Sequence, residues 1–286
     1  MSMSRIVYVN GDYLPEEEAK VSVFDRGFLM ADGVYEVTSV LGGRMLDFEG
    51  HLKRLDRSLR ELDLPRPATD AEIEAMHRAL IARNGLEDGM IYMQVTRGVA
   101  DRDFAWPEGA KPTLVAFTQA KPMEDTIGAR DGIRVVTVPD IRWARRDIKT
   151  VQLLAPSWCK MMAKKAGKDD AWMVEDGFVT EGTSNNAWIV TRDGRIVTRD
   201  LSNRILHGIT RAAVLDCARE AQMAVEERPF TVEEAKAAAE AFMTAASAFV
   251  TPVVEIDGVA LGDGRPGPVA KRLRELYLAE SRRRAV

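Results

Sequence analysis

Apolar positions in the early chain change period twice. Ile6-Val7-Tyr8-Val9 and Tyr13-Leu14 flank Asn10-Gly11, and an Asn-Gly pair between two β-rich runs predicts a two-residue hairpin. Val34 to Val40 and Arg44 to Phe48 flank Gly42-Gly43 in the same way. Between Gly50 and Leu62 the period becomes helical, with Leu52, Leu55, Leu59 and Leu62 on one stripe. A second helix is predicted to open at Thr69-Asp70-Ala71-Glu72, a capping box, and to close at Asn84-Gly85. Met90 to Arg97 and Thr113 to Thr118 read as strands joined by the longer loop Gly98 to Lys111. Strands and helices mix without a regular βαβ alternation, which predicts an α+β domain over residues 1–120.

Residues 121–132 are polar and carry Pro and Gly, and read as an interdomain linker. The second domain, 133–286, is predicted to begin with the strand Ile133 to Val138 and a helix from Pro156 to Ala166, ended by Gly167. Hairpins turn at Asp176-Gly177 and Asp193-Gly194. Helices are expected from Thr210 to about Met223, after the box Thr231-Val232-Glu233-Glu234, and from about Gly267 to the C-terminus. Strands around Ala241 to Met243 and Val253 to Ile256 precede the last of these.

Composition narrows the classes of function. The 286 residues are 46% apolar and 29% charged, the balance of a soluble globular protein with room for two domains. A net charge of −4 gives no reason to expect nucleic acid or an anionic membrane as a partner. The 2 cysteines and 3 histidines lack the spacing of a disulfide framework or a metal site. No run is long enough to span a membrane and the N-terminus carries no secretory stretch, so a cytoplasmic enzyme is expected.

Three features carry candidate chemistry. Lys149 follows Ile148 and precedes the apolar run Val151-Gln152-Leu153-Leu154, so part of its stem is expected to be buried. A lysine in apolar surroundings holds its proton less tightly and can act as an imine-forming amine; the plain alternative is a snorkelling surface lysine. Glu181 ends the strand after Gly177, just before Gly182-Thr183-Ser184-Asn185-Asn186. Placed against a ring nitrogen, a carboxylate keeps a pyridine protonated and makes it an electron sink; the alternative is a carboxylate satisfying backbone amides. Leu206-His207-Gly208-Ile209-Thr210-Arg211 opens a helix whose N-terminus suits an anion, unless Thr210 is an ordinary N-cap. The turn Met243-Thr244-Ala245-Ala246-Ser247 offers further donors, and Arg54, off the leucine stripe of its helix, offers a clamp. A lysine, a carboxylate and a phosphate cup together are the parts of a pyridoxal phosphate site.

In order along the chain, Asp25-Arg26-Gly27, Asp32-Gly33-Val34-Tyr35-Glu36-Val37, His51-Leu52-Lys53-Arg54-Leu55 and Gln94-Val95-Thr96-Arg97-Gly98 match one family. Asp147-Ile148-Lys149, Thr180-Glu181-Gly182-Thr183-Ser184-Asn185, Gly208-Ile209-Thr210-Arg211 and Thr251-Pro252-Val253-Val254-Glu255-Ile256-Asp257-Gly258 continue it. Over essentially its full length the chain resembles the fold type IV pyridoxal phosphate enzymes. This group comprises the D-amino-acid and branched-chain aminotransferases and the aminodeoxychorismate lyases. The resemblance implies an N-terminal α/β sandwich-like domain, a C-terminal domain with a barrel-like mixed sheet, and a homodimer formed across the active site. It implies that Lys149 carries pyridoxal 5′-phosphate as a Schiff base and shuttles the proton, that Glu181 pairs with the pyridine nitrogen, and that Leu206 packs beneath the ring. Arg54, Gly208, Ile209 and Thr210 are implied as phosphate contacts. At Ala246 the family often has a threonine; here only the backbone of Ala245 and Ala246 can serve, with Thr244 or Ser247 to compensate.

Thr96-Arg97-Gly98-Val99-Ala100-Asp101-Arg102 with Trp106-Pro107 looks most like the D-amino-acid aminotransferases. In that group a tyrosine, an arginine and a histidine hold the substrate carboxylate. Tyr35 and Arg102 match the first two, while Phe104 stands in the place of the histidine. The arginine is the stronger part of such a trap, and the lost histidine contact is worth roughly 1.5–3 kcal/mol. The reading is therefore a D-amino-acid:2-oxo-acid aminotransferase, taking a small amino donor and a 2-oxo acid acceptor. (R)-amine and branched-chain transaminases come next, then aminodeoxychorismate lyase or a non-catalytic pyridoxal phosphate carrier.

Overall fold

The computed structural model describes residues 4–286. They divide into two compact units. The first comprises the described residues up to Met123, with Ile148–Gln152 and Ala285–Val286. The second comprises Glu124–Asp147 and Leu153–Arg284. Lys149 therefore packs with the first unit, whereas the sequence reading gave it to the second domain. The reason is local: Lys149 and its neighbours hydrogen-bond to a strand of the first unit. The expected linker 121–132 spans the division and contains a short helix.

The first unit runs β1 (Ile6–Val9), β2 (Asp12–Pro15), α1 (Arg26–Met30), β3 (Gly33–Leu41), β4 (Arg44–Met45), α2 (Phe48–Glu61), α3 (Asp70–Asn84), β5 (Gly89–Thr96) and β6 (Thr113–Ala120). Its six strands form an antiparallel sheet in the order β2-β1-β6-β5-β3-β4. Alternation along β3 and β5 sends Val34, Ile91, Met93 and Val95 to one face. There they meet Leu55 and Leu59 of α2 and Ile73, Met76 and Leu80 of α3, which gives a two-layer sandwich. The expected leucine stripe is thus partly right, since Leu52 and Leu62 are only half-buried. The Asn10-Gly11 hairpin and the Thr69–Glu72 capping box form as expected. Helix α1 was not expected: its buried residue is Arg26, while Phe28 is exposed, so it carries no apolar stripe.

The second unit runs α4 (Ile127–Asp131), β7 (Ile133–Pro139), α5 (Leu154–Lys165), β8 (Asp170–Glu175), β9 (Phe178–Gly182), β10 (Asn186–Val190), β11 (Ile196–Thr198), α6 (Ile209–Glu220), β12 (Val225–Glu227), α7 (Val232–Ala237), β13 (Glu240–Ala245), β14 (Phe249–Ile256), β15 (Val259–Ala260) and α8 (Pro268–Arg284). Its sheet is mixed, with main order β12-β11-β10-β13-β14-β7-β8-β9 and β15 beside β14. Three pairs are parallel: β7 with β8, β7 with β14, and β11 with β12. The sheet curls until its last strand, β9, lies against β10, as a barrel-like sheet must. Trp172, Val179, Ala187, Ile189 and Val253 fill the inside with Phe230. No helix among the described residues is long and apolar enough to cross a membrane, and none of their acidic, histidine or cysteine side chains group as a metal site.

Two buried groups of the first unit make stability depend on pH. His77 of α3 lies edge-on to Phe48, and burial pushes its imidazole down to about 4, against the hydrogen bond from Nδ1 to the Ile73 carbonyl. Burial alone would raise Glu36, but Arg54 and His51 overcome it and hold the carboxyl at about 2. In both cases the unfolded chain takes up its proton first. The native state therefore loses stability below pH 6.5 through His77 and below 4.5 through Glu36, by about 3 kcal/mol each when complete. Urea unfolding at a series of pH values should show this fall. His77→Leu should flatten its upper part, and an unchanged slope in that variant would reject the assignment.

Candidate active site

In the first unit the segment around Lys149 is laid along β3. The Tyr35 N–H donates to the Lys149 carbonyl at 3.0 Å, and the Val151 N–H donates to Gly33 at 3.0 Å. Thr150 bridges Val34, and the Lys149 N–H donates to Ser58 Oγ at 3.3 Å. Ile148 is thereby drawn into the core, and Lys149 is half-buried, as expected. The cover comes from a different source, however. Leu154 is 79% exposed and Leu153 also faces outward, so these two leucines give no cover. Tyr35 supplies the cover instead: Lys149 Nζ stands 4.1 Å from the centre of its ring. Tyr35 in turn stacks on Tyr92, and Tyr92 on Phe117, along the face of the sheet opposite the core.

Arg54 is buried rather than solvated. Its Nε and Nη2 donate to Glu36 at 2.8 and 2.7 Å, and His51 Nδ1 meets the same carboxylate at 2.7 Å. Sequence reasoning missed this pairing because Glu36 and Arg54 lie on separate elements; only the packing of α2 on β3 reveals it. Arg102 and Phe104 lie together on the 98–111 loop, the guanidinium 5.6 Å from the ring centre. Phe104 is 80% exposed in the chain.

In the second unit Glu181 ends β9 with its carboxyl fully inside. Arg142 Nη1 donates to it at 2.5 Å, Asn186 Nδ2 at 2.9 Å and the Leu206 N–H at 3.1 Å. Burial raises the carboxyl above its ordinary range, and Arg142 and the Leu206 N–H offset only part of that rise. A carboxyl held by these donors can take a further charge-assisted bond from a protonated ring nitrogen. Arg142 is itself held by Asp140, at 2.7 Å, and Asp140 accepts from Thr180 Oγ1 at 2.7 Å. The sequence reading passed over Arg142 and Asp140; their only signal was the dense charge between Asp140 and Asp147.

Asn186 joins this carboxylate to the start of α6, because its Nδ2 also donates to the Leu206 carbonyl at 3.0 Å. Gly208 is the N-cap, without any side-chain cap, so Thr210 is not the cap. The first-turn N–H groups of α6 remain for an anion. A Cβ on Gly208 would come within 2.0 Å of Asn186 Oδ1, so the glycine serves the approach of Asn186. Thr244 Oγ1 accepts from the Trp188 indole at 2.9 Å, which turns that hydroxyl inward. Of the two expected compensating hydroxyls, Ser247 stands at the half-exposed turn 245–248. Each piece by itself suits a part of pyridoxal phosphate: in the first unit an amine able to form an imine, and in the second a buried carboxyl for a ring nitrogen and a helix start without a side-chain cap for a phosphate.

Comparison with known proteins agrees. The pattern of the amino-transferase class IV family matches residues 33–256. The D-alanine aminotransferase of Staphylococcus haemolyticus is 39% identical over 272 residues, covering 94% of this chain and 95% of that one. The branched-chain amino acid aminotransferase of Escherichia coli superposes with a TM-score of 0.90 at 23% identity, over 97% and 95% of the two chains, a likeness of fold. That of T.th., complexed with N-(5′-phosphopyridoxyl)-L-glutamate, gives 0.88 at 27% identity over 98% and 95%. The chain belongs to the class IV amino-transferases, pyridoxal phosphate enzymes of fold type IV.

Proposed function

We propose that the protein is a D-amino-acid:2-oxo-acid aminotransferase working by a ping-pong cycle. The observation that carries this reading is the likeness to D-alanine aminotransferases along 94% of the chain, at 39% identity in the Staphylococcus haemolyticus case. Lys149 would hold the cofactor through Nζ and, once the donor amine is bound, would serve as the base that takes the proton from the donor Cα. When bound, pyridoxal phosphate supplies an electron sink for the charge left at that carbon. Glu181, set by Arg142 and Asn186, would hold the proton on the ring nitrogen. The backbone at Gly208, Ile209 and Thr210, the turn at Thr244, Ala245 and Ala246, and Arg54 would hold the phosphate, and Leu206 would pack against the ring. Tyr35 and Arg102 hold the donor carboxylate, and the oxo acid leaves before the acceptor enters. A second copy of the chain completes the enzyme. The outward apolar stripe of Leu154, Trp158 and Met161 on α5, each more than half exposed, supports such a homodimer.

Phe104 favours a second reading, an (R)-amine transaminase, because an apolar ring stands beside Arg102 where the family has histidine. Branched-chain donors are a further arm of the same test. Half-reactions with D-alanine, L-leucine and (R)-1-phenylethylamine decide among them. D-Alanine is expected to react fastest; a faster reaction with the aromatic amine would overturn the first reading. Phe104→His should then lower KM for D-alanine by about one decade, the worth of one hydrogen bond to a charged group. Unchanged kinetics in that variant would place Phe104 outside the pocket.

A further inference from the structure

Asp32, between α1 and β3, accepts two arginines on one oxygen. Arg26 Nε donates to Oδ2 at 2.7 Å and Arg97 Nε at 2.8 Å. Both guanidiniums are almost wholly buried, so neither is a solvated surface charge. Each then reaches further. Arg97 donates to the carbonyls of Leu62 and Asp63 at 2.8 and 3.0 Å, and the Trp106 ring centre lies 4.0 Å from its guanidinium. Arg26 Nη1 donates to the Asp103 carbonyl at 2.7 Å and approaches that of Ala105 at 3.4 Å.

These contacts converge on one short stretch. The carbonyls of Asp103 and Ala105 flank Phe104, and Arg102 comes just before. The Ala105 N–H also donates to Asp103 Oδ1 at 3.0 Å, which closes a tight turn over the same residues. The loop base is held separately, by Arg26 N–H to the Gly98 carbonyl at 2.9 Å and the Asp25–Val99 bridge. Arg26 therefore grips the far part of the loop by its backbone on either side of Phe104, while Arg97 meets it further on, at the Trp106 ring. Only arginine can do so, since its planar fork offers Nε to Asp32 and Nη1 to the loop at once. A stability role alone would leave the target of this grip arbitrary.

We propose that Arg26, oriented by Asp32, is a positioning residue for substrate recognition: it fixes the turn that presents Arg102 and Phe104 and so sets affinity for the donor carboxylate. The proposal rests on the reading of Arg102 as the carboxylate-binding residue. Arg97, steadied by the same carboxylate, braces the end of the turn through Trp106.

The test uses holoenzyme carrying Arg26→Lys, Trp106→Leu or Arg102→Leu. It reads kcat and KM for D-alanine and for (R)-1-phenylethylamine, which has no carboxylate, together with the rate of tryptic cleavage after Arg102. For Arg26→Lys, KM for D-alanine should rise about tenfold with kcat within about twofold, because misplacing a binding group costs recognition. KM for the amine should not move, and cleavage after Arg102 should quicken. Trp106→Leu, at a half-exposed position, should shift the same quantities less, and it decides the matter if Arg26→Lys does not fold. A raised KM in Arg102→Leu beside unchanged values in the other two overturns the proposal alone. No effect of Arg102→Leu on KM for D-alanine overturns the reading of the pocket and this proposal with it. Equal rises in KM for both donors would mark Arg26 as merely structural and overturn it too.

Discussion

Lys149→Ala is expected to lower amino-group transfer by about 10⁴-fold, the upper end of what a positioned proton-transfer group supplies. The same substitution should remove the visible absorption that an imine between protein and cofactor gives. The fold should survive, because what ties this residue to the first unit is backbone: its N–H to Ser58 and its carbonyl to Tyr35. Alanine keeps both bonds and loses only the amine that stood over the Tyr35 ring. A small primary amine added to the variant should restore part of the rate. Residual activity within tenfold of the wild type, measured in single-turnover half-reactions, would show that another group takes the proton.

Glu181→Gln should have the next largest effect, a loss of about two orders of magnitude in the half-reaction, comparable to removing one preorganised electrostatic group from a site. Glutamine fills the same volume and its oxygen can still accept from Arg142 and the Leu206 N–H, while the Asn186 amide loses this acceptor and keeps the Leu206 carbonyl. What it cannot do is hold a proton on a ring nitrogen as an anion. Arg142 keeps its partner in Asp140, so no buried cation is left unpaired. Kinetics of the variant across pH, with circular dichroism as a check on the fold, provide the measurement. An unchanged rate would reduce Glu181 to a carboxylate that satisfies its neighbours, the plainer reading of its position.

Much of the architecture could be read in advance because its signals are local. Asn10-Gly11, Asp176-Gly177 and Asp193-Gly194 each force a hairpin within a few residues, and Thr69 and Thr231 each mark a helix start by bonding a nearby N–H. The elements that escaped are those with no local signal. Strand β12 is acidic and pairs in parallel with β11, so its partner is remote and its alternation faint. Helix α1 buries an arginine, and an arginine gives no apolar period to find. At the site, motifs indicated Lys149, Glu181 and the start of α6, whereas Arg142 and Asp140, which hold Glu181, stood in a run of charges with nothing to separate partner from bystander.

The sequence by itself determined the family, the hairpins and capped helices, and it singled out one lysine, one carboxylate and one helix start as candidates, since these depend on residue types at short spacing. Only the tertiary structure decided that Lys149 packs with the first unit, that Glu36 takes up Arg54, that Gly208 is demanded by Asn186, and that Arg26 reaches from Asp32 to the loop around Phe104. The physical reason is common to all four. Each is a hydrogen bond or close approach between segments far apart in the chain, and the energy that selects it exists only once the packed sheets have brought those segments together and removed the competing water.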